Sequence, residues 1–525
     1  MLNAQNEPRV KSKSEAREKL NALGFRSPDH PIKTSPCYNL HLSLRLYNTL
    51  SGKVEEFTPS KDKTVRMYAC GPTVYDYGHI GNFRTFVAID VLRRFLRQSG
   101  YKLQHVMNIT DVEDKIIRNA AREHKTVQEY TRKYEDAFLE DMQTLNIERP
   151  EQLARATEHI PEMAESIQKL EQKSFAYRAE DGSYYFRIAK FPEYGKLSKK
   201  DFAGMEVGAR VDVDEYEKDN ARDFALWKAR KEDEAYWDSP IGPGRPGWHI
   251  ECSVMSMKYL GPSFDLHSGG EDLTFPHHEN EIAQSEALTG QTFARFWMHV
   301  RFLLVEGKKM SKSEGNFFTL RDLLLKGYKP SAIRYLLASV PYTKQLNFTF
   351  DGLKQAAHSV GRLRDFQARM EMAKLPAGKN EKIQELAART KQEMRAGLDD
   401  DLNTARALAA IFDMVREANT AADRGELRQD DRAPLLSALV QFDEIFAVLK
   451  DDDAEKMDRV RSWAGPDGKL GVERISDDDV NRLIEERNAA KKARDFARAD
   501  AIRKQLTEAG IIVEDTKDGI RWKRK

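Results

Sequence analysis

The sequence predicts an α/β protein: a parallel-sheet domain with an inserted subdomain, followed by a helical bundle and a small C-terminal α+β module. Two patterns support this prediction. From Val65 to Ile109 a strand-like run, a helix-period run and a second strand-like run follow one another, which is the repeating unit of a parallel sheet. Beyond Leu320, apolar residues recur mainly at helical spacing. The 525 residues leave room for three or four domains of about 150 residues each.

Individual elements follow from apolar periodicity and from Gly/Pro breaks. In the sheet domain we predict strand Val65–Ala69, helix Phe83–Leu96, strand Leu103–Ile109, helix Val127–Leu145, strand Phe264–His267 and a helix after Pro276. Beyond Leu320 we predict helix Ser331–Leu337, and in the bundle helices Asp351–Met372, Glu381–Leu398, Leu402–Asn419 and Ala433–Leu449. Two strand-like runs around Asp181-Gly182 indicate a hairpin within the insertion.

The same breaks divide the chain into seven predicted segments. These are 1–41 for a polar N-terminal extension, 42–150 for the first half of the sheet domain, 151–240 for the connective insertion, 241–349 for the second half, 350–450 for the helical bundle, 451–478 for a linker and 479–525 for the C-terminal module.

The composition shows no strong electrostatic bias. Charged residues make up 32%, hydrophobic residues 40%, and the net charge is +1. A nucleic-acid partner would therefore be bound by local basic patches. No apolar run approaches the roughly 18–20 residues that span a bilayer, and the sparse cysteines Cys37, Cys70 and Cys252 predict a reducing compartment. We expect a cytoplasmic protein without membrane contact, and a monomer.

A phosphate site is predicted where the first helix begins, at His79-Ile80-Gly81-Asn82. A helix start offers unpaired N–H groups and a positive dipole end, and glycine lets a ligand approach the backbone. A polar helix cap would contain the same residue types. Downstream, the polar loop containing Lys309 and Lys312 could close over phosphates and offset charge on a leaving pyrophosphate; the same composition is common in solvated surface turns.

Gly269-Gly270 ends the predicted strand at Phe264–His267, where backbone can approach a nucleotide. Asp272 could accept hydrogen bonds from ribose hydroxyls there, and an ordinary turn is the alternative.

Four residues offer zinc-type donors: Cys70, Cys252, His277 and Glu281. Cys70 ends the first strand, while His277 and Glu281 lie four apart on one helix face. All four could meet at the carboxyl edge of one sheet. His278 could replace His277, because it is three residues from Glu281, and spacing does not choose between them. Two buried core cysteines and a helix-capping histidine would give the same pattern.

The order HIGN followed by KMSKS resembles the HIGH and KMSKS signatures of class I aminoacyl-tRNA synthetases, with Asn82 in place of the final histidine. The segments YACGPTVYDYGHIGN, NITDVEDKI, DFALWK, GWHIECS, FPHHENE and KMSKSEGN resemble the cysteinyl-tRNA synthetase family. This resemblance extends from about Leu44 to the C-terminus.

The resemblance implies a Rossmann-like catalytic domain, ATP-dependent activation of L-cysteine and transfer to the 3′-terminal ribose of tRNA(Cys), with Mg²⁺ accompanying ATP. It implies a zinc ion held by Cys70, Cys252, His277 and Glu281. It also implies a cysteine pocket lined by Thr110, Trp248 and His267, and ATP contacts from Lys312 together with His79, Gly81, Asn82, Gly269 and Asp272. In this reading His79, Asn82, Lys309 and Lys312 stabilise phosphate charge in catalysis. Zinc would separate cysteine from serine, because a thiolate is a much better zinc ligand than a hydroxyl.

The C-terminal module combines basic and aromatic residues, a composition suited to single-stranded RNA. By resemblance to the family's anticodon-reading domain, the expected tRNA contacts are Lys491, Arg494, Phe496, Asp500 and Trp522. A solvated helix face would look similar.

Two other functions fit parts of the sequence. A cysteine ligase of the mycothiol biosynthesis type shares the catalytic fold and zinc chemistry, but it lacks an anticodon module. A non-catalytic RNA-binding relative would need neither the zinc donors nor the phosphate signatures.

Overall fold

The structure is a computed structural model. It describes residues 43–200, 223–232, 234–461, 463, 477–493, 495–508, 511–516 and 519–524. The extension predicted for 1–41 lies outside these residues, and so do residues 201–222 of the predicted insertion. The structure therefore does not address the prediction for the extension.

The strands are β1 Arg45–Asn48, β2 Lys53–Glu56, β3 Thr64–Ala69, β4 Lys102–Ile109, β5 Gln152–Arg155, β6 Ala176–Arg178, β7 Tyr184–Phe186, β8 Phe224–Ala229, β9 Gly244–Pro246, β10 Phe264–Gly270, β11 Ala294–Val300, β12 Leu303–Val305, β13 Lys308–Lys309, β14 Leu346–Phe348, β15 Ile511–Thr516 and β16 Gly519–Arg524. The helices are α1 Ile80–Gln98, α2 Asp114–Arg122, α3 Val127–Thr144, α4 Ile160–Gln172, α5 Trp248–Leu260, α6 His277–Thr289, α7 Leu320–Leu325, α8 Pro330–Ala338, α9 Phe350–Met372, α10 Glu381–Asp399, α11 Thr404–Asp423, α12 Arg432–Phe446, α13 Asp453–Arg461, α14 Asp477–Lys492 and α15 Phe496–Glu508.

A five-stranded parallel sheet forms the centre of the catalytic half, with strand order β11-β10-β3-β4-β5. The predicted unit of strand, helix and strand is confirmed as β3, α1 and β4. Because every pair in this sheet is parallel, the carboxyl ends of the strands lie at one edge. The backbone N–H of Cys70, just after β3, donates to the carbonyl of Ser268 in β10 at 3.0 Å.

Helix α1 begins three residues before its predicted start, because two side chains cap it. The backbone N–H of His79 donates to Asn82 Oδ1 at 3.0 Å, and that of Asn82 donates to His79 Nδ1 at 3.1 Å. The apolar residues of α1, among them Phe83 and Leu92, are fully buried. The helix ends near Gly100, whose φ of 85° suits glycine.

The inserted sheet is antiparallel, with order β6-β7-β8-β9, and includes the predicted hairpin. Its limits differ from the predicted 151–240. Strand β5 belongs to the main sheet, since it pairs with β4, and β9 extends the inserted sheet to Pro246. Such short strands show weak periodicity, so their partners in the sheet decide where the boundary falls.

The helical bundle contains α9 to α12, which run from Phe350 to Phe446. The predicted linker 451–478 is different: its first part forms α13. The Asp453 carboxylate accepts hydrogen bonds from the Ser331 backbone N–H at 3.0 Å and from its hydroxyl at 2.6 Å, and Val460 is fully buried. Partners more than a hundred residues away stabilise this polar helix, so its local sequence does not reveal them.

The described part of the C-terminal module consists of α14, α15 and the antiparallel pair β15-β16, and Asp518 of the predicted turn lies outside the described residues. Leu483, Ile502 and Leu506 are buried in its own small core. Among the described helices, none has both the length and the apolarity to cross a membrane.

Candidate active site and metal centre

The four predicted donors come together at the carboxyl edge of the parallel sheet. Cys70 follows β3, Cys252 lies in α5, and His277 and Glu281 lie one turn apart in α6. Their ligand atoms all lie within 4.8 Å of one another. The two Sγ atoms are 4.0 Å apart without a disulfide, and His277 Nε2 is 3.1 Å from Glu281 Oε1. All four residues are buried.

A second set of donors shares this space: Cys70, His267, His278 and Glu281 also lie within 4.8 Å of one another. His278 Nε2 is 3.3 Å from Cys70 Sγ, and its Nδ1 is 2.7 Å from His299 Nε2. The two sets have Cys70 and Glu281 in common. Proximity alone therefore leaves the choice between His277 and His278 open.

Electrostatics within the first set are divided. Glu281 and Cys252 favour the anionic form, whereas burial raises the pKa of the Cys70 thiol well above its usual value. Burial lowers the pKa of His277, but Cys252 and Glu281 raise it to about 10. Burial raises the pKa of Glu281, but His267 and His277 lower it to about 2. Burial likewise raises the pKa of the Cys252 thiol, whereas the contacts with Cys70 and His277 bring it down to about 6. A carboxylate and a thiolate in a dry pocket form a suitable environment for a cation.

The residues expected in the cysteine pocket adjoin this cluster. Thr110 follows β4 and donates through its hydroxyl to Glu251 Oε2 at 3.1 Å. The Trp248 ring lies 4.3 Å from the His277 ring and is 40% exposed. His267 is fully buried, with Nε2 2.9 Å from Glu281 Oε2. Trp248 is thus the only one of these three side chains with substantial solvent exposure.

The HIGN segment (residues 79–82) and the KMSKS segment (residues 309–313), which contain predicted phosphate contacts, lie next to each other. A Cβ on Gly81 would lie 3.0 Å from the His79 ring and 3.4 Å from Met310 Cε in the KMSKS segment. Beyond that segment, the Ile80 N–H donates to the carbonyl of Phe318 at 3.1 Å, so the loop is attached to the start of α1. Burial lowers the pKa of His79, which keeps its imidazole neutral at pH 7.

The two lysines of the KMSKS segment are near the surface. Lys312 Nζ lies 3.0 Å from Asp76 Oδ2, and this hydrogen bond raises the pKa of Lys312. Lys309 is exposed at the end of β13, and its carbonyl accepts a hydrogen bond from the Asn316 side chain at 3.1 Å. The Asn316 Oδ1 accepts from the Ser311 N–H at 2.8 Å, which gives the loop an internal brace.

The Gly269-Gly270 segment differs from the predicted turn. It continues β10, because Gly269 and Gly270 pair with His299 and Val300 of β11. A Cβ on Gly269 would lie 2.8 Å from His278 Cε1, and one on Gly270 would lie 2.4 Å from Asp272 Oδ1. The close approach at Gly269 is therefore to the protein's own histidine.

The expected tRNA contacts are only partly described. Lys491 and Asp500 are exposed on α14 and α15. Arg494 lies outside the described residues, as does the side chain of Phe496. The Trp522 ring packs against the module's core, and its Nε1 donates to Asn481 Oδ1 at 2.9 Å. A role for Trp522 in tRNA binding stays a prediction.

Sequence reasoning missed four polar residues of the site. His249 Nδ1 lies 2.9 Å from His277 Nδ1, His299 supports His278, and Asp76 pairs with Lys312. Glu251 is buried beside Thr110, and burial raises its pKa well above the usual value. The signal for His249 and Glu251 was available in the sequence, as two polar residues in an otherwise apolar helix segment.

The molecule thus has a parallel sheet and a capped helix start that lies in contact with a KMSKS segment. These features together define the catalytic domain of a class I aminoacyl-tRNA synthetase. The family model for the tRNA synthetases class I (C) catalytic domain matches residues 56–358, a DALR domain model matches 393–450, and the model of the cysteinyl-tRNA ligase anticodon binding domain matches 476–522.

The similarity to curated sequences extends over nearly the whole chain. A cysteine–tRNA ligase of Koribacter versatilis (strain Ellin345) is 66% identical over 92% of this chain and 100% of its own length. That of Solibacter usitatus (strain Ellin6076) is 58% identical with the same coverage. The chain belongs to the cysteine–tRNA ligase family.

Among solved structures, Mycobacterium tuberculosis methionyl-tRNA synthetase in complex with methionyl-adenylate is similar, with a TM-score of 0.55 and 17% identity. The similarity covers 77% of this chain and 95% of that one. At this identity the likeness concerns the fold alone.

Proposed function

We propose that the chain activates L-cysteine with ATP and transfers it to the 3′-terminal ribose of tRNA(Cys), and that a zinc ion held by Cys70, Cys252, His277 and Glu281 selects the substrate. The observation that carries this proposal is the meeting of two buried thiols with a histidine and a carboxylate next to the segment that begins the phosphate-binding helix. We further propose that it acts in the cytoplasm and that Mg²⁺ accompanies ATP.

The donor set fits zinc by its chemistry. Sulfur, nitrogen and carboxylate oxygen are the ligands zinc takes in proteins, and the burial of all four groups excludes competing water. Of the two overlapping sets, we favour the one with His277 because it contains both thiols. A zinc ion held by these residues would favour a substrate thiolate over a serine hydroxyl, because a thiolate is the better zinc ligand.

The remaining steps depend on side chains of this chain. We propose that the cysteine carboxylate attacks the α-phosphorus of ATP as the bond to pyrophosphate breaks. His79 and Asn82 would orient the phosphates at the start of α1, while Lys309 and Lys312 would move onto the leaving pyrophosphate. Gly81, Gly269 and Asp272 belong to the proposed ATP site. Thr110, Trp248 and His267 would enclose the amino acid.

The ion pair of Lys312 with Asp76 supports a mobile role for this lysine. Both groups are exposed, at 67% and 38% of their side-chain surface. A pair in this environment is weak and exchanges readily. Lys312 can therefore leave Asp76 for a phosphate without a large energetic penalty.

The carboxyl-terminal module supports tRNA as the second substrate. Lys491 and Lys492 are exposed at the end of α14. We expect a full-length variant with both residues changed to glutamate to have a KM for tRNA several-fold higher, with a weaker dependence on salt. Cysteine-dependent pyrophosphate exchange should not change. An unchanged KM for tRNA would remove α14 from the tRNA interface.

A ligase that joins cysteine to an amino sugar is not favoured. The match of the anticodon-binding domain over 476–522 gives this chain a part that such a reaction does not need.

The activity is tested by cysteine-dependent exchange of pyrophosphate into ATP, with the zinc-loaded full chain. We expect exchange with L-cysteine and at least about 10⁴-fold weaker exchange with L-serine, since the site depends on one strong interaction with sulfur. Absence of exchange with cysteine would exclude the proposed activity. Equal exchange with both amino acids would exclude selection by the metal.

A further inference from the structure

Helix α13 is a firmly docked connector between the helical bundle and the C-terminal module. Besides the bonds between Asp453 and Ser331, the Lys456 ammonium donates to Asn146 Oδ1 at 2.7 Å. Val460 is fully buried, and just beyond the end of α13 the Trp463 N–H donates to the Val460 carbonyl at 2.9 Å, which attaches Trp463 to the helix. The position of Trp463 is therefore determined by packing against the catalytic half.

The Trp463 ring covers the guanidinium group of Arg321, whose Cζ lies 4.0 Å from the ring centroid. Arg321 is 5% exposed. Its Nε donates to Asp141 Oδ1 at 2.9 Å, and its Nη2 donates to the Ala137 carbonyl at 3.0 Å. A planar guanidinium held by hydrogen bonds at its edge leaves its two faces for aromatic rings.

Arg321 contacts a second aromatic ring, which belongs to the segment just before α1 that contains Asp76 and His79. Its guanidinium lies 5.0 Å from the Tyr77 ring. Tyr77 stands between Asp76, which pairs with Lys312, and the helix cap His79. Whatever fixes Tyr77 therefore limits the positions of both neighbours.

The backbone joins Arg321 to the same segment from the other side. Arg321 lies in α7, whose first residue, Leu320, donates its N–H to the carbonyl of Gly78 at 3.1 Å. Gly78 lies between Tyr77 and His79. Arg321 is thus attached to this short segment both through its side chain and through the start of its helix.

We propose that Trp463 is a positioning residue for the ATP-dependent step: through its contact with Arg321 it holds Tyr77, and with it Asp76 and His79, in the arrangement that binds ATP phosphates. This inference rests on the proposed function. It assigns a role in cysteine activation to the segment that leads to the anticodon-binding module, far along the chain from both phosphate signatures.

The test uses the zinc-loaded full chain and steady-state pyrophosphate exchange. With Trp463→Ala, and with Trp463→Leu, which keeps an apolar side chain but removes the aromatic face, we expect KM for ATP to rise roughly three- to tenfold, a range that loss of a desolvated cation–π contact allows. KM for cysteine and zinc content should not change. Trp463→Phe should restore KM for ATP to within about twofold, because it keeps an aromatic face.

Tyr236→Ala is the matched control. The Tyr236 ring covers the guanidinium of Arg230, whose Cζ also lies 4.0 Å from the ring centroid. Neither residue belongs to the HIGN or the KMSKS segment. We expect its exchange kinetics to equal those of the unmodified chain.

An unchanged KM for ATP in the alanine and leucine variants would overturn the inference, and so would the same rise of KM for ATP in Tyr236→Ala. It would also be overturned if KM for ATP and KM for cysteine rose together while the melting temperature fell, because that pattern indicates general destabilisation. A failure of the proposed function would look different, because the unmodified chain would then show no cysteine-dependent exchange.

Discussion

The metal-donor cluster and the phosphate site both follow strand β3, yet they differ in solvent exposure and in the elements that hold them. Cys252 and Glu281 are at most 1% exposed and lie within helices. Lys312 and Asp76 lie in loops, with 67% and 38% of their side-chain surfaces exposed.

The difference follows from what each site must do. Discrimination between a thiol and a hydroxyl needs donors that cannot rearrange around the wrong ligand, and buried side chains on helices have little freedom. Phosphate charge moves during the reaction, so the groups that follow it must move as well. Rigidity at the first site and mobility at the second are therefore complementary, and substitutions should separate them.

The largest effect is expected for Cys252→Ser. Serine keeps the approximate shape but is a poor zinc ligand, so the cluster loses one of its two soft donors. We expect loss of bound zinc and a decrease in cysteine-dependent exchange of roughly 10³-fold or more. Metal analysis and exchange on the same sample measure both. Full zinc occupancy in this variant would remove Cys252 from the ligand set.

Lys312→Ala should have the next largest effect. Removing one group that stabilises developing charge typically lowers kcat by about 10² to 10³-fold. Because Lys312 is exposed, we expect unchanged zinc content and melting temperature. The two substitutions therefore distinguish the two regions. Cys252→Ser should remove both the metal and the activity, whereas Lys312→Ala should remove only the activity. A decrease in kcat below about threefold would mean that Lys312 does not contact the pyrophosphate in the reaction.

The periodic elements of both regions could be predicted from sequence, because apolar spacing sets where β3, α1 and α6 lie. The convergence of Cys70, Cys252 and Glu281 was also predictable, because Cys70 follows β3 while Cys252 and Glu281 lie in the segments before and after the neighbouring parallel strand β10. The choice between His277 and His278 was not, because both lie within one helical turn of Glu281. Helix α13 was missed because Asp453 is stabilised by Ser331, 122 residues away in the chain.

The pair His277→Ala and His278→Ala sharpens the choice of ligand. If His277 binds the metal, its removal should abolish stoichiometric zinc. His278 would then be a supporting residue, and such residues usually change metal affinity by about 10- to 100-fold. Competition with a chelator measures both affinities. The reverse ranking would assign the metal to the set with His267 and His278.

The smallest effect is expected for Asp76→Asn, which removes the exposed partner of Lys312. Exposed ion pairs contribute about 0–1 kcal/mol, so the free energy of unfolding should change by no more than that.

Asp90→Asn is the buried counterpart of this substitution. Asp90 is 1% exposed, its Oδ2 lies 2.5 Å from Arg334 Nη2, and its Oδ1 accepts the Glu148 N–H at 2.8 Å. Leaving the Arg334 charge unpaired in the interior should cost about 3–5 kcal/mol. Urea unfolding of the two variants measures this difference. Asp76→Asn could destabilise the protein as much as Asp90→Asn only if the ion pair between Asp76 and Lys312 were held as rigidly as the buried pair. That result would contradict the mobility assigned to Lys312.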